Sequence, residues 1–424
     1  MCDRDRSGAA WQTARRRRRV CLVGIGVLVL ATVFGWFWVA VPGRDRRSAD
    51  EHLAEIEAAR AIPDAENAAM IYEQLLQDHG TTAPMEGIPK SVDVEKIERV
   101  IREPWLGYDY PELAMWVKGC QPILDRLLEA MQFEKCRFPI IIDPLNTDPM
   151  NRAKSMSQWG CLLSIAANND VAEGRIDAAL SKWQCLIQMG NHLRQQPDSR
   201  DTLVALHIGE LASEPVARFL IIGNPTEAHL QQVEAMPLAM KDHWPEYGER
   251  IRLTEALVWQ RIMERAKERV SLSFCLRHPI QALRGVRSAR YLETMKARST
   301  IFQGIDPTHW IYRGGIATAR GMRILVALRR YRNTNAHWPE GLDEIRASLS
   351  EEILTDPFSR APFVYRPAAD TLVLYSVGPN SSDQDGPWQS KAGDDWPIWP
   401  PIAWLERTPL LVWPEFALPR SESQ

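Results

Sequence analysis

Apolar residues first form one unbroken run, then recur three and four positions apart, and near the C-terminus alternate with polar ones. The run, Val20–Val41, carries no charged side chain and as a helix would span about 33 Å, enough to cross a hydrocarbon core. It predicts a transmembrane helix over 20–41. From Ser48 to about Asn333 the spacing predicts helices parted by Pro- and Gly-containing turns. One begins near Asp64, read as its N-cap, carries Ala68, Ala69, Ile71, Tyr72, Leu75 and Leu76, and stops at His79-Gly80. A pair follows over 153–196, turning near Gly174, and further helices are predicted at about 199–221, 226–235, 245–272, 282–298 and 314–332. Ile140–Ile142, between prolines, reads as a strand or a buried extended segment. Phe363–Tyr365 and Thr371–Val377, rich in aromatic and β-branched residues, read as an antiparallel hairpin. The predicted fold is mainly α: a transmembrane helix, a helical repeat-like domain over 48–310 and a small α+β module over 311–395.

Charge orients the anchor. Seven arginines precede the apolar run, five of them in Arg15–Arg19, against Arg44, Arg46 and Arg47 just beyond it. The positive-inside rule keeps residues 1–19 as a cytoplasmic basic tail and puts the rest of the chain outside the inner membrane. A cleaved signal peptide is the competing reading; its apolar region would be shorter, and Trp38 stands near the cut where a small residue is needed. Ala31 and Gly35 form a small-xxx-small pair of the kind that seats a second membrane helix. The formal net charge of −3 gives no reason to expect nucleic acid as a partner.

In the middle of the chain, Glu173-Gly174-Arg175-Ile176-Asp177-Ala178-Ala179-Leu180 resembles the turn and second helix of a tetratricopeptide repeat. A small residue at the turn and alanines at a close helix contact are what that packing needs. No 34-residue period recurs three times, so the region reads as repeat-like without being a regular array.

The C-terminal module resembles the C-terminal domain of the type II secretion major pseudopilin. The resemblance rests on five pieces in order: a helix ending Leu328-xx-Tyr331, Trp338-Pro339-xx-Leu342, Asp356-Pro357-Phe358 with Tyr365, Leu374-Tyr375-Ser376-Val377-Gly378, and an Asp/Gly loop. In that family the acidic loop binds calcium, which implies Asp383, Asp385, Asp394 and Asp395 as metal ligands here. Their hard oxygens beside glycines fit a cation independently of the resemblance, and a solvated acidic turn would have the same composition. One departure is functional: the apolar helix follows five arginines and lies far upstream of the module, so the chain cannot enter a pilus in the usual way. The whole resembles membrane-anchored bacterial envelope proteins.

Five of the chain's 16 tryptophans follow Gly386, interleaved with prolines. This Pro/Trp-rich tail, 396–424, predicts an extended segment that folds back on the protein or docks a partner. Beyond the membrane lie Cys120, Cys136, Cys161, Cys185 and Cys275, with no metal-binding spacing. Cys120 and Cys136 close a short loop that a disulfide would suit, and buried thiols are the alternative. No local catalytic motif is present. His192 and His207 lie in predicted helices without ligand spacing, His192 reading as a helix C-terminal cation or a buried polar residue. The reading is a non-enzymatic, membrane-anchored extracytoplasmic scaffold with other envelope proteins as partners. The alternatives are an accessory component of a secretion or pilus-like machine, and an envelope-polymer enzyme whose site forms only on folding.

Overall fold

The computed structural model describes residues 48–79, 84–140, 148–239, 241–268, 305–386 and 395–401. The anchor at 20–41, the helix expected over 282–298, Ile141-Ile142, Cys275, Asp394 and the tail beyond 401 lie outside the described residues. None of the described helices is long and apolar enough to cross a membrane. The chain divides into two compact units, Met1–Glu51 and His52–Gln424. At the end of the first, Ser48 and Glu51 form a capping box. The Ser48 N–H donates to Glu51 Oε2 at 3.1 Å, and the Glu51 N–H donates to Ser48 Oγ at 3.2 Å.

The protein is mainly helical, with a small antiparallel sheet. The first helices are α1 (Ala49–Ala59), α2 (Ala69–His79), α3 (Val94–Arg102), α4 (Pro111–Gly119) and α5 (Gln121–Ala130). Long helices follow: α6 (Asp148–Ala172), α7 (Ile176–Arg194) and α8 (Ser199–Ile221), then α9 (Glu227–Glu234), α10 (Trp244–Glu268), α11 (Ile305–Asn335) and the single turn α12 (Glu351–Leu354). Strands β1 (Val364–Pro367), β2 (Leu372–Ser376) and β3 (Trp396–Trp399) form a sheet in that order, antiparallel throughout.

Helix α7 packs against both α6 and α8, and α11 packs on α8. The α6–α7 turn is made by Gly174, whose φ of 77° suits glycine, while the Arg175 N–H returns to the Asp170 carbonyl at 2.7 Å. Ala167 and Ala179 are fully buried at either end of this turn, as close helix contact requires. Side chains of α6 satisfy the open carbonyls at the end of α3: Asn168 Nδ2 donates to Val100 O and Ile101 O, and Ser164 Oγ to Ile101 O. One apolar core runs from Ala68 through the long helices to Trp399, so helices and sheet share it.

Several boundaries differ from the pattern-based expectation, each for a local reason. Asp64 opens one 3-10 turn, Asp64–Glu66, and α2 begins only at Ala69, where Asn67 Oδ1 accepts the Ala69 N–H at 3.1 Å. Helix α11 starts at Ile305, about nine residues earlier than expected, with Pro307 in its first turn, where proline is tolerated. Trp396–Trp399, which opens the Pro/Trp segment, is the third strand; Pro397 is compatible with it because β3 lies at the sheet edge. Glycines on α11 make room for it. A Cβ on Gly314 would lie 2.4 Å from the Trp396 ring, and one on Gly321 2.4 Å from Ile398. Trp396 Nε1 donates to Thr318 Oγ1 at 2.9 Å between them.

Candidate functional site

The motif pieces of the terminal module meet one another. Asp356 is fully buried, and its carboxylate accepts from the Phe358 N–H (2.9 Å), Ser359 Oγ (3.2 Å), Ser376 Oγ (2.9 Å) and the Val377 N–H (3.1 Å). Asp-Pro-Phe and Ser-Val-Gly are thus two halves of one bonded corner. Tyr365 Oη donates to the Pro339 carbonyl at 2.8 Å, Tyr331 Oη donates to Glu344, and the Arg332 guanidinium lies 4.6 Å over the Trp338 ring.

In the acidic loop, Asp383 and Asp385 face an internal cation. Arg366 Nη2 donates to Asp385 Oδ1 at 2.9 Å and stands 3.6 Å from Asp383 Oδ2, while Asp383 Oδ1 accepts from Tyr375 Oη at 2.7 Å. The hydrogen bond to Asp385 raises the Arg366 value, and burial, then Asp383, push the Tyr375 phenol up. Asp395 turns the other way, its Oδ2 accepting from the Gln384 N–H at 3.1 Å and the Gly386 N–H at 2.9 Å. Its Oδ1 is buried without a hydrogen-bond partner among the described residues, and burial raises its carboxyl above the usual range. Among the described residues no three His, Cys, Asp or Glu side chains converge as metal ligands.

A second charged cluster caps α8. Asp198 accepts the Arg200 N–H at 2.8 Å, Glu255 Oε1 accepts the Ser199 N–H at 3.0 Å, and Arg152 pairs with Asp201 at 2.8 Å. Carboxylates at the open N–H groups of a helix N-terminus are favourable. Burial raises the Glu255 carboxyl to about 7 and also lifts Asp201 against the pull of Arg152. Burial works to raise Asp198 too, but the charge and hydrogen bonds of Arg200 outweigh it and hold it below the usual range. The cluster's bonds are used in building the helix end.

A wide concavity lies where the helical body meets the terminal module. It has a volume of about 790 Å³. Arg194 from the end of α7, Lys241 and His243 from the following segment, Tyr247 and Arg250 from α10, Tyr312 from α11 and Glu352 from α12 all line it. Its aromatic wall is one cluster, with ring centroids of Trp244 and Tyr312 at 5.3 Å, Tyr247 and Tyr312 at 5.5 Å, and Trp244 stacked on His309 at 5.1 Å. The Tyr247 hydroxyl is tied to Thr202 Oγ1 at 2.6 Å, and burial raises both phenols. Arg194 Nη1 donates to Asn191 Oδ1 at 3.0 Å, and desolvation lowers its value. Arg250 lies 5.1 Å over the Tyr247 ring. Glu352 is engaged by the buried Arg320 at 3.2 Å. None of Asp198, Asp201 and Glu255 lines the cavity.

None of these cavity residues stood out in the sequence, because they converge from positions 191 to 353 without local spacing. The one available signal was aromatic density at Trp244–Tyr247 and Trp310–Tyr312. His192, by contrast, is a buried polar residue: Tyr72 Oη approaches its Nδ1 at 3.0 Å and its Nε2 approaches the Phe133 carbonyl at 2.8 Å, and burial lowers it to about 4. Cys120, Cys136, Cys161 and Cys185 are free thiols, and burial lifts Cys161 and Cys185 to about 12. Compared with protein-family models, curated proteins and solved structures, the chain gives no match.

Proposed function

We propose that the protein is a membrane-anchored extracytoplasmic binding protein, without catalysis of its own, that engages other envelope proteins. In this reading Val20–Val41 is the anchor, residues 1–19 are cytoplasmic, and the repeat-like helices with the terminal module form the extracytoplasmic part. The observation that carries it is the wide cavity at the junction of helices and module, lined by aromatic and cationic side chains. Concave, largely pre-formed sites with a few polar groups suit ligand binding. The carboxylate cluster of Asp198, Asp201 and Glu255 is committed to capping α8 and to Arg152 and Arg200. That is why binding is preferred to polymer cleavage by paired acids.

A role as accessory component of a secretion or pilus-like machine is the second reading. It is favoured by the way Asp356, Ser376, Val377, Pro339 and Tyr365, all from pseudopilin-like pieces, bond to one another. Calcium belongs to this reading. The buried, unpartnered Oδ1 of Asp395 suits a cation, whereas Asp383 and Asp385 would have to exchange Arg366 for it.

The test is cross-linking of the tagged full-length chain in its native membranes, with and without a calcium chelator, followed by identification of what is captured. Envelope proteins cross-linked to residues 50–300 irrespective of calcium are expected. Recovery of secretion or pilus subunits only with calcium would replace the first reading by the second. A chain released from membranes by carbonate washing would overturn both.

A further inference from the structure

We infer that the junction cavity recognises a carboxylate carried on an apolar or aromatic body, with Arg194 as its anchor. The inference rests on the binding-protein reading and gives it a ligand class. Among the described residues Arg194, Lys241 and Arg250 have no carboxylate within ion-pair distance, although all three line the same space. Of the two lining carboxylates, Glu352 is held by Arg320 at 3.2 Å, which leaves Glu246 at the rim as the one acid without an ion pair. The lining is therefore positive, and a desolvated guanidinium without a counter-ion is a costly arrangement that an anionic ligand relieves.

Geometry narrows the anion. A guanidinium offers a planar fork that matches a carboxylate in two parallel hydrogen bonds. Asn191 orients the Arg194 fork from one side. Around it, Leu238, Ala239, Ile353 and the rings of Tyr247 and Tyr312 supply apolar surface. A volume of about 790 Å³ is far more than a carboxylate alone fills, so the anion comes attached to something apolar. An organic acid and the C-terminal residue of a peptide share this chemistry.

The test is calorimetric titration of the full-length, detergent-solubilised chain with N-acetylphenylalanine, N-acetylphenylalaninamide, a hexapeptide ending in phenylalanine as free acid and as amide, and inorganic phosphate. Each acid is expected to bind at least tenfold more tightly than its amide. A peptide acid that outbinds N-acetylphenylalanine assigns the site to peptide C-termini, and equal affinities assign it to small organic acids. Arg194→Gln should weaken the acids tenfold or more without lowering the unfolding midpoint. Lys241→Gln, at an exposed position, should weaken them a few-fold, and Glu246→Gln should tighten them. Acid and amide binding alike, phosphate binding more tightly than either acid, or no binding at all would overturn the inference. Native cross-links that persist in that case would leave the binding-protein reading standing.

Discussion

The acidic loop and the junction cavity both gather charges at the edge of the terminal module, yet they resolve them differently. In the loop, Arg366 sits against Asp383 and Asp385, and Tyr375 closes the group from behind. In the cavity, Arg194, Lys241 and Arg250 line one space, and the only lining acid not already engaged is Glu246. The loop's partners are close in sequence, eight to nineteen residues apart, so the same segment that supplies the acids supplies their cation. The cavity's cations come from the end of one helix, a connecting segment and the start of another, and their local partners among the described residues are neutral: Asn191 for Arg194, and the Tyr247 ring and the Arg194 carbonyl for Arg250. Charges neutralised within their own fold describe structure; a guanidinium held in place by neutral groups alone, as Arg194 is, describes a site that can take an anion.

Perturbations on either side of this comparison should differ in size. The largest effect is expected at the internally satisfied side. Asp356→Ala leaves the buried Val377 N–H and Ser376 hydroxyl and the half-buried Phe358 N–H without an acceptor, costing on the order of 3 kcal/mol or more. Urea unfolding should show it, and Asp356→Asn should keep part of the loss. Gly314→Ala comes next. Its new Cβ meets the rigid Trp396 ring, and overpacking of about 1–3 kcal/mol outweighs the roughly 1 kcal/mol helix-propensity gain. Faster proteolysis after Gly386 would report the loosened β3 strand.

The pH response lies between these extremes. His192 and His207 are lowered to about 4, so the unfolded chain binds protons that the folded chain refuses, and both remove stability as pH falls from 6.5 towards 4. Glu255, raised to about 7, acts oppositely: its contribution is complete below its unfolded value near 4.5 and is lost as pH rises through 7. The histidines' share of stability therefore rises with pH between about 4 and 6.5, opposed by Glu255 and by Asp201 and Asp395, whose carboxyls burial also raises. Glu255→Gln should steepen that rise and raise stability at pH 8, by on the order of 1 kcal/mol. A variant no more stable than the wild type at pH 8 would contradict the burial of Glu255. The smallest effect is expected from Arg366→Gln, since exposed pairs contribute little. If calcium binds the loop, that variant should show a larger calcium-induced rise in unfolding midpoint than the wild type.

How much of this was legible in the sequence depends on distance along the chain. The α6–α7 hairpin could be read from Gly174 and the alanines beside it, and the β1–β2 hairpin from its aromatic and β-branched residues, because each is specified by a short window. The motif pieces of the terminal module were visible too, but not that Asp356 bonds Ser376 and Val377. The β3 strand was hidden by its prolines, which read as a tail until the glycine slots of α11 show what Trp396 and Ile398 pack into. Asp64 was a plausible cap that lost to Asn67, a choice decided by the chain's own bridge between Asn67 and Lys135. Of the predicted calcium ligands, Asp383 and Asp385 share a cation while Asp395 faces the Gln384 and Gly386 amides; sequence spacing says nothing about which way a carboxylate turns. The cavity could not be read at all, since it exists only where α7, α10, α11 and α12 meet.

The central claim, that Arg194 has no counter-ion among the described residues while Arg366 has two, is tested most directly by measuring thermal unfolding of Arg194→Gln and Arg366→Gln in the same ligand-free, calcium-free buffer. Removing Arg194 relieves a desolvated charge, against which stand its hydrogen bond to Asn191 and a C-terminal helix-dipole contribution of about 0.3–1 kcal/mol. The account predicts an unchanged or higher midpoint for Arg194→Gln and a small drop for Arg366→Gln. A drop for Arg194→Gln larger than that for Arg366→Gln would mean that Arg194 is already paired in the folded protein, and the cavity would lose its claim to be a binding site.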